Sequence, residues 1–165
     1  MSTSHDAPSS PETLFDREVS AFHRTTDEQT TATVTCTRRG PGPGRAMQAP
    51  PTATVYTLTV RVEAHSDLDM TVDAATPWDA LTHAREHLEQ HGWFLAIAAA
   101  RRDCWPIQLP RQHEATTVTE LTGQRNPRQW QGFLASSDPG DVGSVAEQQH
   151  HYQIWLSRYD TTPGG

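Results

Sequence analysis

The feature that most constrains this chain is a regular alternation of apolar and polar side chains over residues 54–64. The apolar positions are Tyr56, Leu58, Val60 and Val62. A period of two directs these side chains to one face of a β-strand and leaves threonine, arginine and glutamate on the other face. The segment therefore predicts a strand in a sheet that buries one face and exposes the other to water.

A second strand and a helix follow this segment. Residues 68–74 predict a returning strand, and the motif TPWD at 76–79 predicts a helix start. Threonine is a good cap, proline fits the first helical position, and aspartate suits the positive end of a helix. We predict a helix over 77–91, ended by Gly92, because glycine tolerates the left-handed backbone of a helix terminus. Its core stripe consists of Leu81, Ala84 and Leu88.

Four later segments complete the predicted domain. The apolar run at 93–101 predicts a central strand, and the stretch at 114–122, rich in threonine and valine, predicts another. A short helix is predicted to open at Asn126, and a last strand covers 152–159. With the 77–91 helix, these elements predict a single α+β domain: an antiparallel or mixed sheet of about five strands with one main helix packed on it.

The N-terminal third differs in composition from the rest. Residues 1–51 hold few large apolar side chains, which predicts a largely flexible extension. Within it, a serine, a proline and a glutamate open a stretch with helical spacing, so 11–23 predicts a short helix, and 30–39 predicts a strand. The folded domain is then expected over 52–160, followed by a flexible tail at 161–165.

Charge and composition exclude several functions. The formal net charge is −7, and all 13 basic residues are arginine, which also indicates a GC-rich, bacterial genome. An acidic chain disfavours binding to the nucleic-acid backbone, and the lysine of a phosphate-binding loop is missing. The longest apolar run, 93–100, is too short for a membrane helix. We therefore expect neither nucleic acid nor a membrane as a partner. We also expect a cytoplasmic location, because the chain has two cysteines, Cys36 and Cys104, and its N-terminal sequence does not have the pattern of a secretory signal.

One histidine motif carries candidate metal ligands. His83, Glu86 and His87 form the pattern H-x-x-E-H, in which two histidines of a zinc peptidase bind the metal and the glutamate handles water. On the predicted helix, however, both histidines fall on the side away from the apolar stripe. A catalytic zinc also needs a third protein ligand in a dry cleft. The candidates for that ligand are Glu147, His150 and His151. We therefore expect no metal and no cofactor, and keep a small zinc hydrolase as an alternative.

The order of elements, together with the C-terminal Gly164-Gly165, resembles the β-grasp fold of ubiquitin-like proteins. The segments that carry the resemblance are the strands at 54–64, 68–74 and 152–159 and the helix at 77–91. This resemblance implies that the diglycine carboxylate is adenylated and then passed to a sulfur or an amine.

The chemistry of the sequence favours binding over catalysis. Neither a nucleophile with a neighbouring base nor a dinucleotide-binding glycine pattern is present. We therefore expect a non-enzymatic cytoplasmic protein whose partner is another protein. The first alternative is a β-grasp modifier that acts through Gly164 and Gly165, and the second is the zinc hydrolase described above.

Overall fold

The computed structural model describes residues 10–40, 54–106, 116–121 and 130–160. The first strands are β1 (Glu12–His23), β2 (Gln29–Arg39), β3 (Val55–Val62) and β4 (Met70–Ala74). They are followed by helix α1 (Pro77–Gln90) and by the strands β5 (Trp93–Leu95), β6 (Cys104–Trp105), β7 (Thr117–Glu120) and β8 (Trp130–Gly132). Helix α2 (Val145–Asp160) comes last. Within the described segments, neither helix is both long enough and apolar enough to cross a bilayer.

The main sheet has five antiparallel strands in the order β4-β3-β2-β1-β5. Its inner face is covered by α1, and a row across the strands, Cys36–Leu58–Val72, shows the register of the buried side. The outer face is rich in threonine, as the alternation of β3 predicts. A smaller sheet, β6-β7-β8, packs beside the same core. The α+β prediction, with one main helix on a five-stranded sheet, is confirmed.

The best-patterned segments fold as the sequence predicts. Strands β3 and β4 lie within 54–64 and 68–74, and α1 matches the predicted helix to within one residue. The Thr76 hydroxyl caps α1 by accepting the backbone N–H of Asp79 at 3.1 Å. Gly92 has a φ of +80°, the left-handed conformation expected at the helix end.

The prediction for the N-terminal third is wrong in two respects. Residues 11–23 form β1 rather than a helix, and β1 and β2 are integral strands of the main sheet. The helical spacing of the large apolar residues led to the wrong prediction. The buried positions of β1 are Val19 and Ala21, which lie two residues apart, as expected for one face of a strand. Pairing with β2 along almost the whole of β1 outweighs the weak local preference. The strand predicted at 30–39 is confirmed as β2, so the folded domain begins well before residue 52.

The last predicted strand is also wrong, because 152–159 belongs to α2. A short alternating run fits one side of a helix as well as a strand. The deciding signal lies upstream, where Ser144 and Glu147 form a capping box. The Ser144 hydroxyl accepts the Glu147 backbone N–H at 3.0 Å, and the Glu147 carboxylate accepts the Ser144 N–H at 3.4 Å.

The run at 93–101 is buried as predicted, yet only its first three residues are a strand. After β5 the chain forms a short 3-10 turn, Ala98–Ala100. Its Ala98 and Ala99 backbone N–H groups donate to the carbonyls of Ala135 and Phe133, at 2.8 and 3.0 Å. The chain leaves the main sheet here in order to reach the second one.

The second half of the domain holds two further outcomes. The strand predicted at 114–122 is confirmed as β7. The helix predicted to open at Asn126 begins outside the described residues, and its continuation at 130–132 is strand β8.

The β-grasp resemblance loses one of the strands that carried it. Residues 152–159, which would supply the last strand of the sheet, are helical, and β1 and β2 take places in the sheet instead. Gly164 and Gly165 lie outside the described residues. The strands at 54–64 and 68–74 and the helix at 77–91 are present, whereas the last strand is not. The modifier function stays an untested prediction.

Candidate functional site

An arginine and a glutamine fix the two helices against each other inside the core. Arg85 on α1 is 3% exposed, and Gln148 on α2 is 1% exposed. The Arg85 guanidinium donates to the Gln148 side-chain oxygen at 2.7 Å and to the carbonyls of Ala99 and Gly143, at 3.2 and 3.1 Å. Buried polar groups are tolerated only when such partners are present. The arrangement therefore locks α2 to α1.

The same two side chains hold the connection between β5 and β6. The Gln148 amide nitrogen lies 2.8–2.9 Å from the carbonyl oxygens of Ala99, Arg101 and Cys104. Burial lowers the pKa of Arg85 to about 10, opposed by the negative charge of Glu89. Burial in turn raises the pKa of Glu89, opposed by the Val145 backbone N–H that its carboxylate accepts. These groups are structural and hold the walls of the groove described next.

A series of aromatic rings leads from the core to the surface of α2. It starts at Phe133, which is buried, and continues through Trp78, 5.6 Å away between ring centroids. Trp105 meets Trp78 edge-on at 5.3 Å and stacks on Tyr152 at 4.2 Å, with only 7° between the two ring planes. Trp155, one turn further along α2, stacks on Tyr152 at 6.1 Å.

These rings border an open groove of about 500 Å³. Its lining comes from three elements: the first turns of α1, the end of β6, and α2. The lining residues are Trp78, Asp79, Thr82, Trp105, Pro106, Gln149 and Tyr152. The groove lies one helical turn from the Arg85–Gln148 bond, since Arg85 follows Thr82 by three positions and Tyr152 follows Gln148 by four. A volume of this size lies within the usual range of a ligand site.

One polar atom at the groove has an unmet hydrogen bond. The Thr82 hydroxyl is buried, and the part of the chain that the structure describes provides no partner for it. A buried hydroxyl without a partner costs free energy, about 1–3 kcal/mol. The hydroxyl oxygen is not exposed to the groove, so this cost lies within the wall that α1 contributes.

The histidines predicted as metal ligands lie on the other side of α1. His83 and Glu86 are exposed and His87 is half-buried, as the helical projection predicts. The His87 ring meets His91 at 5.3 Å, and no group of three or more metal-binding side chains forms in the described segments. Of the proposed third ligands, Glu147 is bound to arginines, and His150 and His151 are exposed on α2. The hydrolase stays an untested alternative.

Both cysteines are buried, and they are not joined in a disulfide. Burial raises the pKa of Cys104 to about 12, and the negative charge of the neighbouring Asp103 adds to the effect. A thiol with so high a pKa is not a nucleophile at neutral pH.

Comparisons with protein-family models, with curated proteins and with solved structures give no match to this chain.

Sequence reasoning missed this groove for a specific reason. It requires α2, and the segment that carries Tyr152 and Trp155 was predicted as a strand. The Ser144-Glu147 capping box was the available signal, and with it the spacing Gln148, Tyr152 and Trp155 indicates one helical face.

Proposed function

We propose that this chain is a non-enzymatic cytoplasmic protein that binds a segment of another protein in the aromatic groove. The observation that carries the proposal is the groove itself, open to solvent and bordered by the rings of Trp78, Trp105 and Tyr152. Its other side chains bring a carboxylate, a hydroxyl and an amide. Rigid aromatic rings beside a few polar groups are the usual composition of binding hot spots.

Preorganisation of the groove supports binding as its task. Its walls belong to α1, β6 and α2, and the buried Arg85–Gln148 bond sets the position of the two helices. The stacked pair of Trp105 and Tyr152 has a defined geometry before any ligand arrives. A site that needs little ordering loses little entropy when a ligand binds.

We propose an extended segment rather than a second globular surface as the occupant. The groove is open to solvent, holds about 500 Å³ and is lined by seven side chains. Aromatic-lined grooves accept extended peptides, whose side chains and prolines pack between the rings. The cytoplasmic part of the proposal is supported by the two buried free thiols, which are typical of a reducing compartment.

A selection experiment tests the proposal. Peptides with random sequence, displayed on phage, are selected on the immobilised full-length protein, and enriched peptides are synthesised and titrated while tryptophan fluorescence is recorded. We expect saturable binding that Trp105→Ala and Tyr152→Ala each weaken at least about tenfold, as for hot-spot aromatics. Circular dichroism verifies that both variants are folded.

A control separates the groove from general stickiness of α2. Ile154 is 42% exposed on the same helix and does not line the groove. Ile154→Ser should leave the affinity unchanged. The proposal is wrong if no peptide is enriched, or if enriched peptides bind the two groove variants as tightly as the original protein.

A further inference from the structure

We propose that the segment recognised in the groove presents a basic side chain, arginine in preference to lysine, to Asp79 and the aromatic rings. This inference rests on the proposed function and specifies the chemistry of the partner. It starts from the charge of the lining, where Asp79 supplies the carboxylate and no lining residue is basic. Among the described residues, the Asp79 carboxylate takes part in no ion pair and accepts no hydrogen bond; the contact at this residue is made by its backbone N–H.

The field at this end of α1 still favours a cation. The helix start carries roughly half a positive charge, which stabilises Asp79 and partly offsets it. One full negative charge minus about one half leaves the mouth of the groove negative. The net charge of −7 acts in the same direction, because it raises the local concentration of cationic segments around the molecule.

The aromatic rings add an attraction that a neutral partner would not feel. A cation over the face of a tryptophan or tyrosine ring is drawn to the negative π-surface, most strongly for tryptophan. The lining of the groove combines two tryptophans, Trp78 and Trp105, with the Asp79 carboxylate. A guanidinium can lie flat on a ring while the N–H groups at its edge donate to an acid as a planar fork, a geometry that the compact ammonium of lysine does not offer.

The protein already contains this arrangement within itself. The guanidinium of Arg24 lies 4.4 Å from the centroid of the Phe94 ring and donates to the Glu147 carboxylate at 3.0 Å. A ring below and a carboxylate at the edge thus hold an arginine in this fold. The groove presents the same two components, with Asp79 in the place of Glu147 and without an arginine of the described chain between them.

The remaining polar groups of the groove suit a donor-rich ligand. A guanidinium carries five N–H donors and no acceptor. Around it the groove would provide the Asp79 carboxylate and the side-chain oxygen of Gln149. Both oxygen-bearing groups accept hydrogen bonds, which favours arginine over an apolar side chain.

The test uses the peptides selected on the full-length protein and one pair of matched variants. Asp79→Asn removes the charge in the groove and keeps the size of the side chain. Asp67→Asn removes an equally exposed acid that does not line the groove. We expect arginine to be enriched in the selected peptides, and its replacement by glutamine in a peptide to weaken binding about tenfold. Asp79→Asn should have the same effect on the arginine peptide, whereas Asp67→Asn should change its affinity less than twofold.

The outcomes separate this inference from the proposed function. Two results would show that the groove binds peptides but does not select a basic side chain. The first is selection of peptides without basic residues. The second is that Asp79→Asn binds the peptides as tightly as the original protein does, while Trp105→Ala still abolishes binding. If Trp105→Ala has no effect, the proposed function fails as well. Acetyl-arginine amide and methyl glucoside provide a check without any peptide. A saturable fluorescence change with the glucoside alone would assign the groove to a sugar and overturn the inference.

Discussion

The side chains of Arg85 and Gln148 meet inside the core, with 2.7 Å between the guanidinium nitrogen and the amide oxygen. They lie 63 positions apart in the sequence and on different helices. Each also bonds to the same carbonyl, that of Ala99. The Arg85 guanidinium thus depends on Gln148 for an acceptor. The Gln148 amide nitrogen depends in turn on carbonyl groups in and after the turn that follows β5.

The first prediction concerns the stability of this pair. Gln148→Leu deprives a buried cation of an acceptor, and Arg85→Met leaves the Gly143 carbonyl and the Gln148 amide oxygen unpaired, whereas the Ala99 carbonyl retains the Gln148 donor. Each change should lower the free energy of unfolding by about 2–4 kcal/mol, measured by urea denaturation. The loss of unfolding free energy in the double variant should be smaller than the sum of the two single losses by at least about 1 kcal/mol. The reason is that the second change removes a group that the first change had already left unpaired. Additive losses would contradict the coupling.

The second prediction concerns the start of the folded domain. A chain that begins at Thr52 lacks β1 and β2, so one edge of β3 and of β5 loses its backbone partners. We expect this chain to be unfolded or aggregated, without cooperative thermal melting. A chain that begins at Ser10 retains both strands and serves as the control; it should melt within a few degrees of the full chain. A cooperative transition for the shorter chain would show that β1 and β2 are dispensable.

The sequence predicts the elements whose signals are local and redundant. The alternation of β3 and the cap, proline and acid at the start of α1 each specify one conformation, and both were predicted correctly. β1 was mistaken because its large apolar residues fit a helical spacing, whereas hairpin pairing with β2, which starts at Gln29, decides the outcome. The spacing of apolar residues within one segment does not contain that information, since it depends on the backbone of the next strand.

The candidate site was harder to predict than the fold. Its rings come from three elements, and Trp78 and Tyr152 are 74 positions apart. No spacing rule connects such residues. The burial of Arg85 was equally hidden, because an arginine on the edge of an amphipathic stripe usually extends to water. What reveals it is the set of carbonyl acceptors that only the folded chain assembles.

The third prediction concerns the thiols. Cys36 and Cys104 are both buried, and the pKa of Cys104 is raised to about 12 by burial and by the charge of Asp103. The folded protein should therefore show no rapid reaction with an aromatic disulfide reagent at about pH 8, where an ordinary exposed thiol reacts readily. In denaturant, both thiols should react, which gives the full count as an internal control. A thiol that reacts rapidly in the native protein would contradict the burial of its site.

The last prediction concerns the acid stability that Glu147 provides. Its carboxylate pairs with Arg24 at 3.0 Å and with Arg102 at 3.1 Å. The hydrogen bond from Arg24 lowers the pKa of Glu147 below its usual value of 4.5; burial opposes this shift, and the hydrogen bond from Arg102 adds to it. A carboxylate whose pKa is lower in the folded state contributes stability at higher pH and loses it as the pH falls through the folded-state pKa.

The matched variant for this effect is Glu147→Gln. Glutamine retains the reach of the side chain to the start of α2, since it also serves in a capping box. At about pH 7 the variant should unfold with a free energy lower by up to about 1 kcal/mol, a modest loss because the pair is partly exposed. The difference from the original protein should persist down to about pH 5 and disappear at lower pH. Glu63→Gln, a change at an exposed glutamate that forms no ion pair among the described residues, should show no such trend. A difference for Glu147→Gln that grows on acidification would contradict the assigned role of the two arginines.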